Sequence, residues 1–237
     1  MTELLYTTDA YVQNFAAVVT AVTEEGIILD KTAFYPGGGG QPCDFGTLTA
    51  EDQTWAVTKV KKIGGEVVHF VEGEPPGVGT AVTAQLDWDR RYKLMRTHTA
   101  MHILCGVVWR DYGASVTGGN MEPLQGRMDF EFETMRQELV VEIETAVNAE
   151  VLAARATRVQ ILPREEAFQI PDLIRTKINL LPEGIPEVRT VELVGLDLQA
   201  DGGTHVANTK EVGRMHITDY KSKGKINKRI YVELSAD

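Results

Sequence analysis

The sequence predicts an α+β protein, with a small β-barrel-like domain at residues 1–88 and a mixed domain of antiparallel sheet and packed helices at residues 89–237. Three observations predict this class. Apolar and polar residues alternate through the first third of the chain, helical spacing begins near residue 87, and alternation returns toward the C-terminus. A chain of 237 residues is long enough for two domains that each bury a core.

The N-terminal domain is predicted from segments whose apolar residues recur at every second position. These segments are FAAVVTAV, GIILDKTAFY, TWAVTKVKKI and EVVHFVE. A turn rich in Pro and Gly at residues 72–80 precedes one more strand, AVTAQLDW. We therefore place the domain boundary near residue 88.

The C-terminal domain begins with a predicted helix, because apolar residues and two histidines recur every three or four positions from residue 94 to residue 105. GRMDFEFE predicts a strand, and Thr134 or a near neighbour is a candidate N-cap for a second helix through ELVVEIETAVNAEVLAA. RVQILPREEAF predicts a strand followed by a helix. The segments VRTVELV, MHITDY and KRIYVEL are expected to form one antiparallel sheet.

The composition is that of an ordinary folded protein, with 43% hydrophobic and 24% charged residues. No apolar run approaches the roughly 18 residues of a membrane span. The N-terminus lacks the basic start of a signal peptide, and Cys43 and Cys105 form no disulfide framework, so we expect a cytoplasmic protein. A net charge of −10 argues against indiscriminate binding to nucleic acid. A basic cluster at residues 221–229 is, taken alone, typical of a solvated turn.

Two short motifs indicate a metal site. His98 and His102 in HTAMH lie one helical turn apart, so both imidazoles share a helix face. Asp201 and His205 flank a Gly-Gly turn in DGGTH. Each motif alone also fits a structural role, but together they supply a plausible tetrahedral zinc set in which the fourth position is protein or water. HTAMH lacks the glutamate of the zinc peptidases.

A third motif is the glycine-rich segment at residues 30–44, which contains four consecutive glycines, Gly37–Gly40. A backbone without Cβ atoms can approach a ligand closely, although a flexible hairpin tip would have the same composition. A phosphate-binding P-loop is excluded because no Lys-Ser or Lys-Thr pair follows. The remaining histidines, His69 and His216, are assigned to strand positions.

These motifs together resemble a known family. TAFYPGGGGQP, HTAMH, RMDF and GGTHVANT occur here in the order found in the editing region of alanyl-tRNA synthetases and in the free-standing AlaX proteins of the medium-sized class. The resemblance covers nearly the whole chain. It does not include the aminoacylation domain of a full synthetase. It implies an ATP-independent, zinc-dependent trans-editing hydrolase. Its substrate would be tRNA(Ala) that wrongly carries serine or glycine.

The resemblance also assigns roles to residues. One zinc ion per chain would be held by four side chains, His98, His102, Asp201 and His205. The family commonly has cysteine where Asp201 stands here. A carboxylate is a harder ligand than a thiolate, so Asp201 either binds the metal or orients water.

The predicted catalytic residues lie in the glycine-rich segment, and the predicted tRNA contacts lie in the C-terminal basic cluster. The catalytic set is Thr32, Gly39, Gly40 and Gln41, and the tRNA contacts are Lys225, Lys228 and Arg229. The loop would lie against the aminoacyl end, with the Thr32 hydroxyl recognising serine. The basic residues would contact phosphates of the acceptor end.

Two other functions stay open from the sequence. One is a catalytically silent RNA-binding relative, and the other is a metal-dependent hydrolase of a small ester. The three retained histidines argue against the first. The expected partner is the acceptor end of tRNA(Ala), with no membrane and no obligate protein partner.

Overall fold

The computed structural model describes residues 2–175, 181 and 184–236. Contacts between residues divide the chain into two compact units, Met1–Lys93 and Leu94–Asp237. Within the described part of the chain, no helix combines the length and the apolar character that a membrane crossing requires.

The first unit is built on a closed antiparallel barrel, as the alternating sequence predicted. Its strands are β1 (Glu3–Leu4), β2 (Asn14–Val22), β3 (Ile27–Leu29), β4 (Lys31–Thr32), β5 (Gly46–Ala50), β6 (Gln53–Ile63), β7 (Glu66–Val71) and β8 (Ala81–Leu86). The barrel order is β2, β3, β7, β6, β5, β8, and the short strands β1 and β4 pair in parallel beside it. A single 3-10 turn, Leu5–Thr7, follows β1 in this described region.

Alternation along each strand creates the barrel core. On β2, Phe15, Ala17 and Val19 are buried while the residues between them face outward. Close packing fixes one glycine: a Cβ on Gly26 would lie 2.3 Å from the carbonyl oxygen of His69, so no larger residue fits there without moving the backbone.

The second unit combines three helices with two antiparallel sheets in its described residues. The helices are α1 (Trp88–Tyr112), which begins in the first unit, α2 (Gln137–Leu152) and α3 (Arg164–Ala167). The strands are β9 (Val116–Glu122), β10 (Gln125–Glu131), β11 (Thr157–Pro163), β12 (Glu187–Leu193), β13 (Asp197–Ala200), β14 (Met215–Ser222) and β15 (Asn227–Leu234). The sheet orders are β14, β15, β10, β9 and β11, β12, β13. The α+β class is confirmed.

The end of α1 follows from its local structure, whereas the prediction for the start of α2 is wrong. After α1, Gly113 adopts a φ of 62° and its N–H donates to the carbonyl of Trp109 at 2.9 Å, which ends the helix. The predicted side-chain cap by Thr134 or a near neighbour is not formed. The N-cap of α2 is Arg136, whose side chain makes no capping hydrogen bond. This helix is instead stabilised by its buried apolar face, which carries Val140 and Ile143.

The predicted joining of VRTVELV, MHITDY and KRIYVEL in one sheet is also wrong. MHITDY and KRIYVEL belong to β14 and β15, which pair with each other, but VRTVELV contains β12, which lies in the other sheet. The N–H of Leu196 donates to the carbonyl of Leu193 at 2.8 Å, and this tight turn folds β13 back onto β12. Because β11 pairs along the opposite edge, both edges of β12 are already used.

Candidate metal centre and associated residues

The four predicted metal ligands come together in the second unit. His98 and His102 lie one turn apart on α1, with ring centroids 5.2 Å apart. Asp201 and His205 lie on the Gly-Gly turn that follows β13. One ligand atom from each of the four residues lies within 4.8 Å of the others, so the group could hold a metal ion.

The geometry inside the group shows which atoms face each other. His205 Nε2 lies 2.9 Å from Asp201 Oδ2, and His98 Nε2 lies 3.6 Å from Asp201 Oδ1. The His205 ring centroid lies 4.2 Å from that of His98 and 4.6 Å from that of His102. Three imidazoles therefore surround one carboxylate at spacings that a single ion can bridge.

Burial sets the charge state of this group. Burial lowers the pKa of His98 well below its usual range and that of His205 to about 4, so both rings are neutral near pH 7, the form that binds metal. Burial opposes ionisation of Asp201, but the surrounding imidazoles outweigh it and lower the pKa of this carboxyl. Two of the donors are thus neutral nitrogens and one is an anionic oxygen, which suits a divalent cation.

A second carboxylate stands behind the group and was missed from the sequence. Asp197 Oδ2 lies 3.0 Å from His102 Nδ1, at the distance though not in the alignment of a hydrogen bond. Burial lowers the pKa of His102, and the contact with Asp197 outweighs it, so this pKa is raised. Gln199 Nε2 donates to Asp197 Oδ2 at 2.6 Å, and Arg175 Nε lies 3.5 Å from Oδ1.

A similar outer partner serves His205. Its Nδ1 lies 3.2 Å from the hydroxyl oxygen of Thr99, which also accepts the N–H of Val206 at 3.2 Å. With protons on the outer Nδ1 atoms of His205 and His102, both rings keep the inner Nε2 lone pair for a metal. The only sequence signal for Asp197 was a carboxylate in a short strand, four residues before Asp201.

In the first unit, Thr32 forms part of a buried hydrogen-bonded chain. His69 Nδ1 lies 3.3 Å from the carbonyl of Ile27 and therefore donates to it, which leaves Nε2 as an acceptor 2.8 Å from the Thr32 hydroxyl. Burial lowers the pKa of His69 to about 4, so the ring is neutral. Thr32 donates its proton to His69 and accepts the N–H of Phe34 at 3.1 Å.

The glycine-rich loop has a defined conformation. Gly37–Gly40 have φ values of 84°, 137°, 57° and 89°, a backbone region that residues with side chains rarely adopt. Gly38 and Gln41 exchange backbone hydrogen bonds of 3.0 and 2.9 Å, and the Tyr35 hydroxyl donates to the Gly38 carbonyl at 3.1 Å. Gln41 is buried, whereas Gly39 is exposed and Gly40 half-buried.

The base of this loop is closed by a buried ion pair. Tyr35 and Asp44 bond across it: the Asp44 N–H donates to the Tyr35 carbonyl at 3.0 Å, and the Tyr35 N–H donates to Asp44 Oδ2 at 2.6 Å. Arg91 Nε donates to both Asp44 carboxylate oxygens at 3.0 Å, and its NH2 group bonds Asp44 and the Ala33 carbonyl. These contacts hold both ends of the loop together.

The predicted tRNA contacts occupy the hairpin of β14 and β15, and their charges are used differently. Lys225 is exposed. Lys228 is buried, and its Nζ donates to the carbonyls of Gly224 and Lys225 at 3.0 Å each. Arg229 makes a bidentate pair with Asp129 at 2.6 and 2.8 Å. The exposed ammonium groups of this hairpin therefore belong to Lys225 and its neighbours Lys221 and Lys223.

Comparisons with known proteins agree across the chain. A family model described as tRNA synthetases class II (A) matches residues 5–90, and one described as threonyl and alanyl tRNA synthetase second additional domain matches residues 188–231. The chain is 41% identical to the alanyl-tRNA editing protein AlaX-M of Saccharolobus solfataricus, over 98% of each chain. The chain belongs to the AlaX-M family of alanyl-tRNA editing proteins.

Other relatives fit the same family. The AlaX-M protein of Methanosarcina barkeri is 36% identical over 99% of each chain. The alanine–tRNA ligase of Ignicoccus hospitalis is 37% identical over 91% of this chain, which corresponds to 24% of the ligase. The resemblance to AlaX proteins inferred from the motifs is thus confirmed.

Proposed function

We propose that this chain is a cytosolic, zinc-dependent trans-editing deacylase that hydrolyses the ester of mischarged tRNA(Ala), with serine as the main misplaced amino acid and glycine as a second. The buried group of three imidazoles and one carboxylate carries this proposal. A chain whose role was only to bind RNA would have no use for four convergent metal-ligating side chains, three of them buried.

The donor set fits zinc. Zinc takes imidazole nitrogen and carboxylate oxygen in tetrahedral sites, and one ion per chain would be held by His98, His102 and His205, with Asp201 as the fourth ligand or as a group that orients water. When bound, zinc would lower the pKa of a water molecule or hold the aminoacyl group in place. Asp197 and Thr99 would keep two of the imidazoles in the metal-binding tautomer.

Selection of serine would depend on Thr32. Because its proton is donated to His69, the Thr32 oxygen can act toward a substrate only as an acceptor, and a serine hydroxyl would donate to it. Alanine cannot make this bond, so it loses the corresponding stabilisation. Glycine has no side chain to reject, which makes it the natural second substrate. In the glycine-rich loop, Gly39, Gly40 and Gln41 would lie against the aminoacyl end.

The C-terminal hairpin is the proposed contact for phosphates of the acceptor end, through Lys225, Lys228 and Arg229. Exposed Lys225 would supply the charge directly. Lys228 bonds the hairpin turn, and Arg229 joins β15 to Asp129 on the neighbouring strand, so these two residues would shape the contact surface.

The experiment compares deacylation of Ser-tRNA(Ala) and Ala-tRNA(Ala), together with zinc content, for wild type and Thr32→Val. We expect about one zinc per chain in both proteins and a wild type that hydrolyses the seryl ester much faster. The variant should have a smaller serine-to-alanine rate ratio, reduced by a factor that corresponds to about 1–3 kcal/mol. Removal of alanine as fast as serine by the wild type would contradict editing. Activity confined to free small esters would favour a general esterase, and no hydrolysis at all a silent RNA-binding relative.

A further inference from the structure

A basic surface on the barrel lies outside every residue assigned above. Lys59, Lys61 and Lys62 on β6 are all exposed. They lie on the hairpin of β6 and β7, and we call its residues 59–70 the lysine arm. Val60 and Val67, on the face of the arm that also carries Lys62, are buried in the barrel core.

The local structure explains how these lysines are placed. The pairing of β6 with β7 shifts register between Val57 and Lys59, which turns Lys59 and Lys61 to the outer face, whereas Lys62 lies on the other face at the end of the hairpin. β5 pairs with β6 only as far as Val57, so the arm continues with β7 as its neighbour. Gly64 and Gly65 turn the chain with φ values of 59° and 90°, which suits a tight hairpin.

The charges of the arm have no carboxylate partner in the described part of the chain. Two other cations of the first unit have carboxylate partners: Arg91 bonds Asp44, and Lys93 Nζ lies 2.6 Å from Asp89. By contrast, the Lys59 ammonium group lies over the ring of Phe70, with Nζ 5.1 Å from its centroid. Three like charges crowded on one strand repel each other, and a polyanion would relieve that repulsion.

The shape of the surface selects the kind of polyanion. A strand rises about 3.3 Å per residue, so Lys59 and Lys61 lie roughly 7 Å apart in a row on one face, with Lys62 beside the hairpin turn, and the charges do not surround a pocket. Lysine is a mobile point charge that contacts phosphates without reading bases. We propose that the lysine arm binds the sugar-phosphate backbone of tRNA. This inference rests on the proposed function, because tRNA is the polyanion that an editing enzyme must hold.

The experiment measures binding of uncharged tRNA(Ala) transcript at several salt concentrations by fluorescence anisotropy. The test variant is Lys59→Gln/Lys61→Gln/Lys62→Gln, and its matched control replaces the same three lysines with arginine. We expect the glutamine variant to bind on the order of tenfold more weakly at low salt. The slope of log Kd against log salt should fall by about 2, since each lost phosphate contact removes about 0.7–0.9. The arginine variant should match the wild type.

Wild-type affinity and salt slope in the glutamine variant would overturn the proposal. So would equal losses in the glutamine and arginine variants, because charge would then not be the cause. Zinc content and unfolding midpoint, measured on all three proteins, report folding independently. Uncharged tRNA is used so that binding does not depend on hydrolysis: a wild type that binds this tRNA but leaves Ser-tRNA(Ala) intact would contradict the proposed function alone.

Discussion

The two units of the chain bury polar side chains in different ways. In the first unit, Arg91 and Asp44 are joined by several hydrogen bonds, and His69 has a partner on each ring nitrogen. In the second unit, imidazoles are packed against one another. Within its described residues, His102 Nδ1 and Asp197 Oδ1 are buried without a hydrogen-bond partner.

This difference separates two uses of buried polarity. A complete network stabilises one backbone arrangement, and in the first unit it holds the ends of the glycine-rich loop. An incomplete network is costly unless something else completes it. The atoms without a hydrogen bond, His102 Nδ1 and Asp197 Oδ1, lie behind the metal group, whereas its inner atoms are three imidazole nitrogens and a carboxylate, for which we propose a cation as the missing partner. The following predictions test the contrast.

The largest effect is expected from removing a ligand in the second unit. His205→Ala should bring zinc content from about one per chain to near zero and lower the rate of Ser-tRNA(Ala) hydrolysis roughly a thousandfold, since a metal supplies several kcal/mol of transition-state stabilisation. His216→Ala is the matched control, because His216 lies half-exposed on β14. Elemental analysis and single-turnover kinetics check both. Full zinc and full rate in His205→Ala would refute the ligand assignment.

In the first unit, breaking the buried ion pair should cost stability and leave zinc content unchanged. Arg91→Met leaves the Asp44 carboxylate buried without its cation, which costs about 3–5 kcal/mol of unfolding free energy. Lys93→Met removes an exposed pair on the same helix and should cost about 0.3–0.5 kcal/mol. Urea unfolding of the two variants provides the comparison. Equal costs would show that burial does not distinguish the pairs.

The His69 network predicts a pH dependence of stability. The folded pKa of His69 is about 4, below the ordinary value of 6.5, so between these pH values the unfolded chain binds a proton that the folded chain does not. Stability is therefore full above pH 6.5 and is lost as pH falls toward 4, by up to about 3 kcal/mol. His69→Gln should lose this part of the dependence. Parallel curves for wild type and variant, from urea unfolding at each pH, would contradict it.

The smallest effect is expected behind the metal group. Asp197→Asn keeps the size of the side chain but weakens its hold on His102, which should lower zinc affinity about 10–100-fold. Asp219→Asn, on the exposed hairpin, is the control and should leave affinity unchanged. Competition with a chelator measures both values. An unchanged affinity in Asp197→Asn would mean that His102 is oriented by packing alone.

Much of the fold and part of the candidate site follow from short-range patterns. The four-residue spacing of His98 and His102 places both rings on one helix face, because an α-helix repeats every 3.6 residues. Alternation in FAAVVTAV likewise specifies which side of β2 is buried. These features depend only on residues a few positions apart, so the sequence by itself determined them.

Other features depend on residues that are distant in the chain, and only the tertiary structure decided them. The membership of β12 in the smaller sheet depends on which edges its neighbours leave free. The pairing of Arg229 with Asp129, and of His102 with Asp197, joins residues about a hundred positions apart. A periodic pattern carries no information about such partners, because packing brings them together after the local elements have formed.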